Sequence, residues 1–303
     1  MALSALVACM PVTGPVPVQR APLPAAVALP VPRPESAASA AARAHYARVQ
    51  SQLLSQGLLR TDGGGPDTPF SDRMLAENFI RVALFDEYTR TAAGPVQRTS
   101  ESRLRRWEAP IRVALRFGAS TPPDKRAADT ARVASFLQRL SRITGHPIGL
   151  DDRAPNFFIQ MVTEDERRAL GPDIRAALPG LSASAVAAIT DMPRSTYCLV
   201  YAMSAGDGAT YTRAYAVIRS EHPDLLRLSC LHEEIAQGLG LANDSPSARP
   251  SIFNDDEEFA LLTRQDELML KMLYNPALRP GMTEAEARPI VESLAARLTG
   301  GEG

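Results

Sequence analysis

The sequence predicts an α+β domain in which a small mixed β-sheet packs on helices, preceded by a helical N-terminal segment. Three observations lead to this prediction: strand patterns of period two, longer amphipathic segments between them, and an ordinary globular composition. Of the 303 residues, 45% are hydrophobic and 22% are charged, which suffices for one sizeable core. Neither an internal repeat nor a second linker interrupts residues 35–300, so we expect a single domain there.

The charge balance points to no polyanionic partner. Thirty-three basic side chains stand against 34 acidic ones, for a formal net charge of -1. A chain so balanced has no global field that would attract nucleic acid or an anionic membrane surface. We therefore expect no nucleic acid among its partners.

The N-terminus fits a bacterial lipobox, in which signal peptidase cuts before a cysteine that becomes lipid-modified. Residues 1–8 are short and apolar, and Leu6-Val7-Ala8 leads directly into Cys9. Residues 1–8 lack the basic region and the longer apolar region that a secretory signal usually has. We therefore interpret these residues as a truncated signal peptide. The alternative is a hydrophobic N-terminus with a chance cysteine.

A proline-rich spacer follows the predicted lipidation site. Residues 11–34 contain eight prolines and show neither helical nor strand periodicity. Such a segment adopts an extended polyproline conformation and would span about 75 Å at about 3.1 Å per residue. Lipidated Cys9 and this linker, residues 9–34, predict a protein of the bacterial periplasm that is anchored to a lipid bilayer without spanning it.

The first part of the domain is expected to be helical. Glu35 to Ser55 has the alanine, arginine and glutamine content of a helix and stops before Gly57. Leu75 to Tyr88 repeats apolar residues at helical spacing. The first strand pattern begins at Ile111, where IRVALRF alternates apolar and basic residues.

Helices and strands then alternate towards the end of the chain. Asp124 to Thr144 predicts an amphipathic helix that ends at Gly145, and the turn Gly206-Asp207-Gly208 separates two strands. The remaining predicted elements are the strands Asn156 to Val162, CLVYAM and YTRAYAVI, and helices around Glu164 to Leu178, Ser182 to Ile189, Asp224 to Leu239, Thr263 to Tyr274 and Thr283 to Leu298.

Two cysteines remain in the domain once Cys9 is set apart. If the protein is exported, Cys198 and Cys230 meet an oxidising compartment in which a disulfide is stable. Closing a loop of about 33 residues would stabilise the fold by about 3–4 kcal/mol. The bond would fasten a strand to the start of the helix that follows. The alternative is a pair of buried free thiols.

The helix from Asp224 to Leu239 carries the most informative motif, within the stretch CLHEEIAQGLGLAND. A leucine and isoleucine stripe predicts its buried face, and Glu233 and Gln237 lie one turn apart on another face. His232 and Glu233 match the start of the zinc motif HExxH. The second histidine would be residue 236, which is Ala236, so this register does not give a zinc site.

A shift of one residue gives a longer agreement. Glu233 to Asn243 resembles the metzincin helix HExxHxxGLxH, with Glu234 in the place of the general base and Gly240 where that helix turns away. The three histidine positions are occupied by Glu233, Gln237 and Asn243. The resemblance therefore implies a metzincin-like helix with vestigial ligand positions.

Downstream segments extend the resemblance. Ser251-Ile252-Phe253 stands where metzincins have the Met-turn, with Phe253 for the methionine, and LTRQDELMLKMLY resembles the helix LTxxDxxxLxxLY. Together with LAENFIRVALFDEY and RRWEAPIRVALRFG upstream, these motifs resemble the bacterial domain-of-unknown-function family 2927, over most of residues 36–285. Many members of that family are predicted lipoproteins. The family implies a zincin-like fold without the zinc ligands, and it brings no established activity.

The surviving side chains are poor ligands for zinc. Zinc sites prefer imidazole or thiolate, whereas this helix offers only carboxylate and amide oxygens, so no zinc and no other cofactor is expected. Calcium or magnesium accepts such ligands, and residues 233–258 hold seven acidic side chains against one basic one. The residues that would bind a hard cation, or else pin the loop by hydrogen bonds, are Asp244, Asn254, Asp255 and Asp256.

These inferences favour a lipid-anchored periplasmic protein with a degenerate metzincin-like domain. Its role would be non-catalytic binding of an envelope protein or peptide, as expected of a pseudoenzyme. The alternative is an atypical hydrolase that works without zinc, with Glu234 as its general base.

Overall fold

The computed structural model describes residues 35–91, 94–254 and 256–300; of residues 87–91 and 94–99 it describes the backbone alone. The predicted signal peptide, Cys9 and the proline-rich spacer lie outside these ranges. The described residues fall in one compact unit. Within the described ranges, the helices are too short or too polar to cross a membrane.

Most helices begin and end close to the predicted positions. The helix predicted over Leu75 to Tyr88 is an exception, and the piece predicted around Glu164 to Leu178 is divided into two helices. Most open at a side-chain cap: Thr263 and Thr283, for example, each form a capping box with the acidic residue three positions on. In chain order the helices are α1 Ala37–Ser55, α2 Asp72–Ala83, α3 Pro123–Thr144, α4 Glu164–Arg168, α5 Gly171–Ala177, α6 Ala183–Thr190, α7 Asp224–Leu239, α8 Arg264–Leu273 and α9 Glu284–Thr299.

The main sheet is mostly parallel. Its strands pair in the order β3-β8-β6-β4-β5, and β7 pairs antiparallel with β8 beside it. A separate hairpin joins β1 and β2. The strands are β1 Phe85–Thr91, β2 Gly94–Glu101, β3 Arg106–Trp107, β4 Ile111–Phe117, β5 Ile148–Leu150, β6 Phe157–Val162, β7 Cys198–Ser204 and β8 Thr210–Arg219.

Helices cover both faces of this sheet. In β8, Ala214, Ala216 and Ile218 join the larger core, which contains most of the buried apolar residues of α3 and α7. Tyr215 and Val217 point the other way, into a smaller core that they share with α5 and α6. Alternate residues of one strand thus serve two cores, as the period of two requires. The prediction of a mixed sheet packed on helices is confirmed, but the mostly parallel strands with helices on both faces form an α/β arrangement and not the predicted α+β one.

One predicted helix is too long. The sequence predicts a single helix over Leu75 to Tyr88, but α2 ends at Ala83 and Phe85 opens β1, where it pairs with Glu101. The residues of β1 read FDEYTRT, and tyrosine and threonine favour strands over helices. The helix therefore ends at Ala83, although the helical spacing of apolar residues continues to Phe85.

The short strands β3 and β5 have no counterpart in the sequence prediction. They contain two and three residues, which is too few to display a period. By contrast, β7 and β8 form the predicted antiparallel hairpin, in register from Cys198 opposite Ile218.

Candidate functional site

Helix α7 is fixed at its N-terminal end by α1. Its N-cap residue, Pro223, makes no side-chain cap. Gln50 of α1 supplies the missing acceptor, because its Oε1 accepts a hydrogen bond of 3.0 Å from the Leu226 amide. Ser39 of α1 donates to Glu221, just before α7, over 2.6 Å. The position of α7 thus depends on the helical N-terminal segment.

Two aromatic side chains hold the C-terminal end of α7. Trp107 Nε1 donates to the Gly238 carbonyl over 2.8 Å, and Tyr274 Oη donates to the Leu239 carbonyl over 3.0 Å. Carbonyls of a last helical turn have no partner within the helix. Trp107 and Tyr274 both belong to the motifs quoted above, so these motifs serve the placement of α7.

The glycines of the α7 motif are required by close approach. A Cβ at position 238 would lie 2.6 Å from the Phe157 ring, and one at position 240 would lie 2.2 Å from the Arg105 carbonyl oxygen. Gly240 also has φ 129°, a conformation that side chains with a Cβ rarely adopt. The helix therefore turns away at Gly240, where the resemblance places the turn.

The predicted disulfide is confirmed. Cys198, at the start of β7, is bonded to Cys230 of α7, with their Cα atoms 5.9 Å apart. Nδ1 of the buried His222 lies 3.7 Å from the Cys230 sulfur. The bond fastens α7 to the antiparallel strand of the sheet.

Glu233 and Glu234 lie beside this disulfide. Their carboxylates and the Cys198 sulfur bring ligand atoms within 4.8 Å of one another, the one such group of three found in the described residues. Glu234 is 3% exposed. A cysteine binds a metal ion as its thiolate. Because the Cys198 sulfur is held in a disulfide, it does not serve as a ligand. Two neighbouring carboxylates are what this group offers to a cation.

The other two vestigial ligand positions bond to the protein itself. Gln237 Nε2 donates to Asp244 Oδ1 over 3.1 Å. Asn243 Nδ2 donates to the Arg81 carbonyl over 2.8 Å, and its backbone amide donates to the Val82 carbonyl over 3.0 Å. Asn243 therefore satisfies two carbonyls at the C-terminal end of α2.

These side chains do not fit zinc, the metal that the metzincin resemblance would imply. Glu233, Gln237 and Asn243 supply oxygen donors, whereas zinc prefers imidazole and thiolate. The amide groups of Gln237 and Asn243 are also engaged with different partners, Asp244 and the end of α2. No step of a zinc-dependent reaction can be derived from this arrangement.

His232 is part of the core. It is 5% exposed, its ring stacks on Phe136 with centroids 3.9 Å apart, and its Nδ1 accepts from the Leu262 amide over 3.1 Å. Burial lowers its pKa to about 3. The ring is therefore neutral at physiological pH and binds α7 to the segment before α8.

Asp266 organises the segment that leads into α8. Its carboxylate accepts from Ser251 Oγ over 2.5 Å, from the Ile252 amide over 3.1 Å and from both the amide and hydroxyl of Thr263. Phe253, at the place of the Met-turn methionine, is fully buried. This network holds the loop under α7.

The remaining predicted residues lie along the same loop. Asp244 accepts the hydrogen bond from Gln237 Nε2, and Asn254 is buried. Asp256 accepts a hydrogen bond of 2.9 Å from the Glu258 amide in the turn before α8. Asp255 lies outside the described residues.

A cavity of about 460 Å³ opens beside Asn243. It lies between the end of α2, the loop after α7 and the start of α9, and we call it the Asn243 pocket. Its walls include Glu77, Arg81 and Arg288, which the sequence prediction missed. Arg288 Nη1 donates to Glu77 Oε1 over 2.5 Å, although the two residues are 211 positions apart in the chain. The packing of α2 on α9 brings them together, so no local sequence pattern could have indicated the pair.

A larger cavity of about 540 Å³ lies at the turn between β7 and β8, with Arg105 and Arg213 in its walls. It includes none of the predicted site residues. We therefore place the candidate site at α7 and the Asn243 pocket, where the family-like motifs converge.

Comparison with known proteins gives one result. A family model described as a protein of unknown function (DUF2927) matches residues 72–293. Searches of curated proteins and of solved structures gave no match. The matched residues run from the first residue of α2 into α9 and include the whole of α7.

Proposed function

This chain belongs to the DUF2927 family, and on that premise we propose that it is a non-catalytic binding domain of the bacterial envelope. Its fold is a degenerate relative of the metzincins, and a lipid on Cys9 tethers it to a membrane on the periplasmic side. Its partner is an envelope protein, peptide or small ligand.

One observation carries this proposal. The side chains at the metzincin ligand positions hold the protein together: Gln237 bonds to Asp244, and Asn243 bonds to the end of α2. The mixed sheet, with α7 fastened to its antiparallel strand, supports the relationship to zincins. A helix whose ligand positions have become structural is suited to presenting a surface.

The test uses Glu234→Gln in a bacterial strain from which the gene has been deleted. If the role is non-catalytic, the variant restores resistance to envelope stress as the wild-type gene does. Glu234→Ala is a poor substitute because it removes the volume of a buried side chain. Thermal unfolding of purified Glu234→Gln establishes that its fold is intact.

A second candidate function rests on the proximity of Glu233 and Glu234. Two carboxylates in one group could hold a calcium or magnesium ion, with Glu234 as general base of an atypical hydrolase. In that case Glu234→Gln fails to restore resistance although it folds normally. This outcome would replace the binding proposal with the hydrolase.

The tether has its own test. Cys9→Ser, expressed with its native upstream sequence, is expected to leave the membrane fraction, whereas the wild type stays there. Retention of Cys9→Ser in the membrane fraction would refute the lipid anchor and leave the binding proposal standing.

A further inference from the structure

Asn243, a residue in the wall of the Asn243 pocket, carries a buried polar atom that the fold leaves unused. Asn243 lines the cavity and is 2% exposed, and its Oδ1 accepts no hydrogen bond from the described residues. A buried acceptor without a donor is destabilising. A ligand that brings an N–H group to this wall would relieve the deficit.

The orientation of the amide is fixed by its other bond. Nδ2 donates to the Arg81 carbonyl over 2.8 Å, and a carbonyl oxygen can only accept. Exchanging the amide nitrogen and oxygen would set two acceptors against each other. The atom left over is therefore an acceptor, so the pocket calls for a donor.

The charges of the walls agree with a donor that is also a cation. Three carboxylates stand against two guanidinium groups. Arg288 lies between two of these carboxylates: its Nη1 donates to Glu77 Oε1 over 2.5 Å, and its Nη2 donates to Glu284 Oε1 over 2.6 Å. Its hydrogen bond lowers the pKa of Glu77, which keeps that carboxylate ionised at neutral pH. Asp244 adds a further negative charge.

Two other features favour an organic cation. The last carbonyls of α2 face Asn243, and the C-terminal end of a helix dipole attracts positive charge. Ile80 and Phe85 give the pocket an apolar wall that suits a hydrocarbon chain. A bare metal ion fits less well, because the group of metal-ligating side chains found in the described residues lies at Glu233 and Glu234.

We propose that the Asn243 pocket binds the protonated primary amine of a small ligand with a short hydrocarbon stem. The ammonium group donates to Asn243 Oδ1 and to the Asp244 carboxylate, and the stem lies against Ile80 and Phe85. This inference rests on the proposed binding role and names the class of ligand.

Calorimetric titration of the full chain tests the proposal. The probes are 1,5-diaminopentane and L-lysine, and the control is pentanoate, which has a similar stem with an anionic head. Saturable one-to-one binding of an amine, and none of pentanoate, is expected. Preference for the diamine identifies a free polyamine as the source, whereas preference for lysine identifies an amino acid whose carboxylate uses Arg81.

Variants locate the site. Asp244→Asn is expected to weaken amine binding about tenfold, the effect of losing one charge-assisted hydrogen bond. Arg81→Ala is expected to tighten binding of the diamine, because it removes a like charge from an exposed position. Asp207→Asn, at the exposed turn between β7 and β8, is the matched control and should bind as the wild type does.

The proposal is overturned if neither amine binds saturably, or if pentanoate binds equally well. It is also overturned if folded Asp244→Asn and Arg81→Ala both bind as the wild type does. Restoration of envelope resistance by Glu234→Gln is measured independently, so the binding role can stand when the amine class fails.

Discussion

His232 and Asp266 are buried titratable residues that connect α7, the loop after it and α8. The HExxH register breaks at Ala236 in the sequence, and the structure places His232 in the core. The sequence did not indicate the acceptor role of the ring, which depends on the Leu262 amide 30 positions away. Asp266 could be placed as the capping residue of α8 from its spacing to Thr263, but its bonds to Ser251 and Ile252 required the folded chain.

His232 makes the domain sensitive to acid. In an unfolded chain histidine titrates near pH 6.5, whereas burial lowers the pKa of His232 to about 3. Between these two pH values the unfolded state therefore binds a proton at His232 that the folded state does not bind. The contribution of neutral His232 is complete above pH 6.5 and is lost as the pH falls towards 3, by up to about 5 kcal/mol.

His232→Asn tests this effect, because the amide oxygen can accept from the Leu262 amide and does not titrate in this range. Loss of the stack on Phe136 should lower the free energy of unfolding at pH 7 by about 1 kcal/mol. Urea unfolding at pH 7 and pH 4.5 should then show a smaller acid-induced loss than in the wild type. Equal losses in the two proteins would contradict the assignment.

The titration of Asp266 changes the stability of the domain with pH in the opposite direction. Burial raises its pKa to about 6, although four hydrogen bonds oppose the rise. A raised carboxyl pKa means that the folded state holds the proton more tightly, so this contribution to stability falls as the pH rises from about 4 to about 6. Between about pH 4 and 6 the two effects have similar and opposite slopes and largely cancel, so the histidine effect on stability is clearest outside that range, near pH 6.5 and below pH 4.

Asp266→Asn should destabilise the domain by about 2–3 kcal/mol, because an amide nitrogen would face donors that now point at carboxylate oxygen. The matched control is Glu286→Gln, which alters the equivalent capping box of α9 at an exposed position. It should cause a much smaller loss in urea unfolding. A similar loss in both variants would show that capping alone, and not the buried network, explains the effect.

At the scale of elements, the end of α7 depends on its glycines. Gly240→Ala should destabilise the domain by about 3 kcal/mol or more, since it adds a clash with the Arg105 carbonyl to an unfavourable φ. Gly145→Ala is the control: Gly145 has φ 69°, but a Cβ added there would meet no atom within 4 Å. That variant should lose only about 1 kcal/mol.

These two glycine variants separate backbone conformation from packing. Equal losses in thermal unfolding would mean that α7 can shift away from Arg105, and its end would then not be fixed as described. The sequence indicated a turn at Gly240 through the metzincin resemblance. The close approach of the chain before β3 could not be predicted, because β3 is too short to show a strand pattern.

The disulfide joins β7 to α7, and β8 lies between these two elements in the chain. Cys198 and Cys230 are 32 positions apart, and the loop they close should contribute about 3–4 kcal/mol to the free energy of unfolding. Cys198→Ser with Cys230→Ser should lose this amount, and the wild type should lose it on reduction. A thiol count of two in the non-reduced, denatured domain would contradict the bond.

At the scale of the whole molecule, long periodic elements were predictable and contacts between distant elements were not. The strands β4, β6, β7 and β8 and the helices α3, α7, α8 and α9 followed from periodicity, because each buries one face against the sheet or a neighbouring helix. The Asn243 pocket did not, since α2, α7 and α9 contribute to it from three separate parts of the chain. The hairpin of β1 and β2 was missed because its first residues continue the helical pattern of α2.

In the proposed function, α7 keeps the geometry of a metal-binding helix while its ligand positions have become structural. Gln237 and Asn243, at two of the three positions that correspond to metzincin ligands, bond to Asp244 in the loop after α7 and to the end of α2.

Metal analysis of the purified full chain tests this claim most directly. After expression in medium supplemented with zinc and dialysis without chelator, mass spectrometry of the digested protein should find far less than one zinc per chain, and Glu233→Gln and Gln237→Ala should leave that content unchanged. One zinc per chain that disappears in these two variants would contradict the claim.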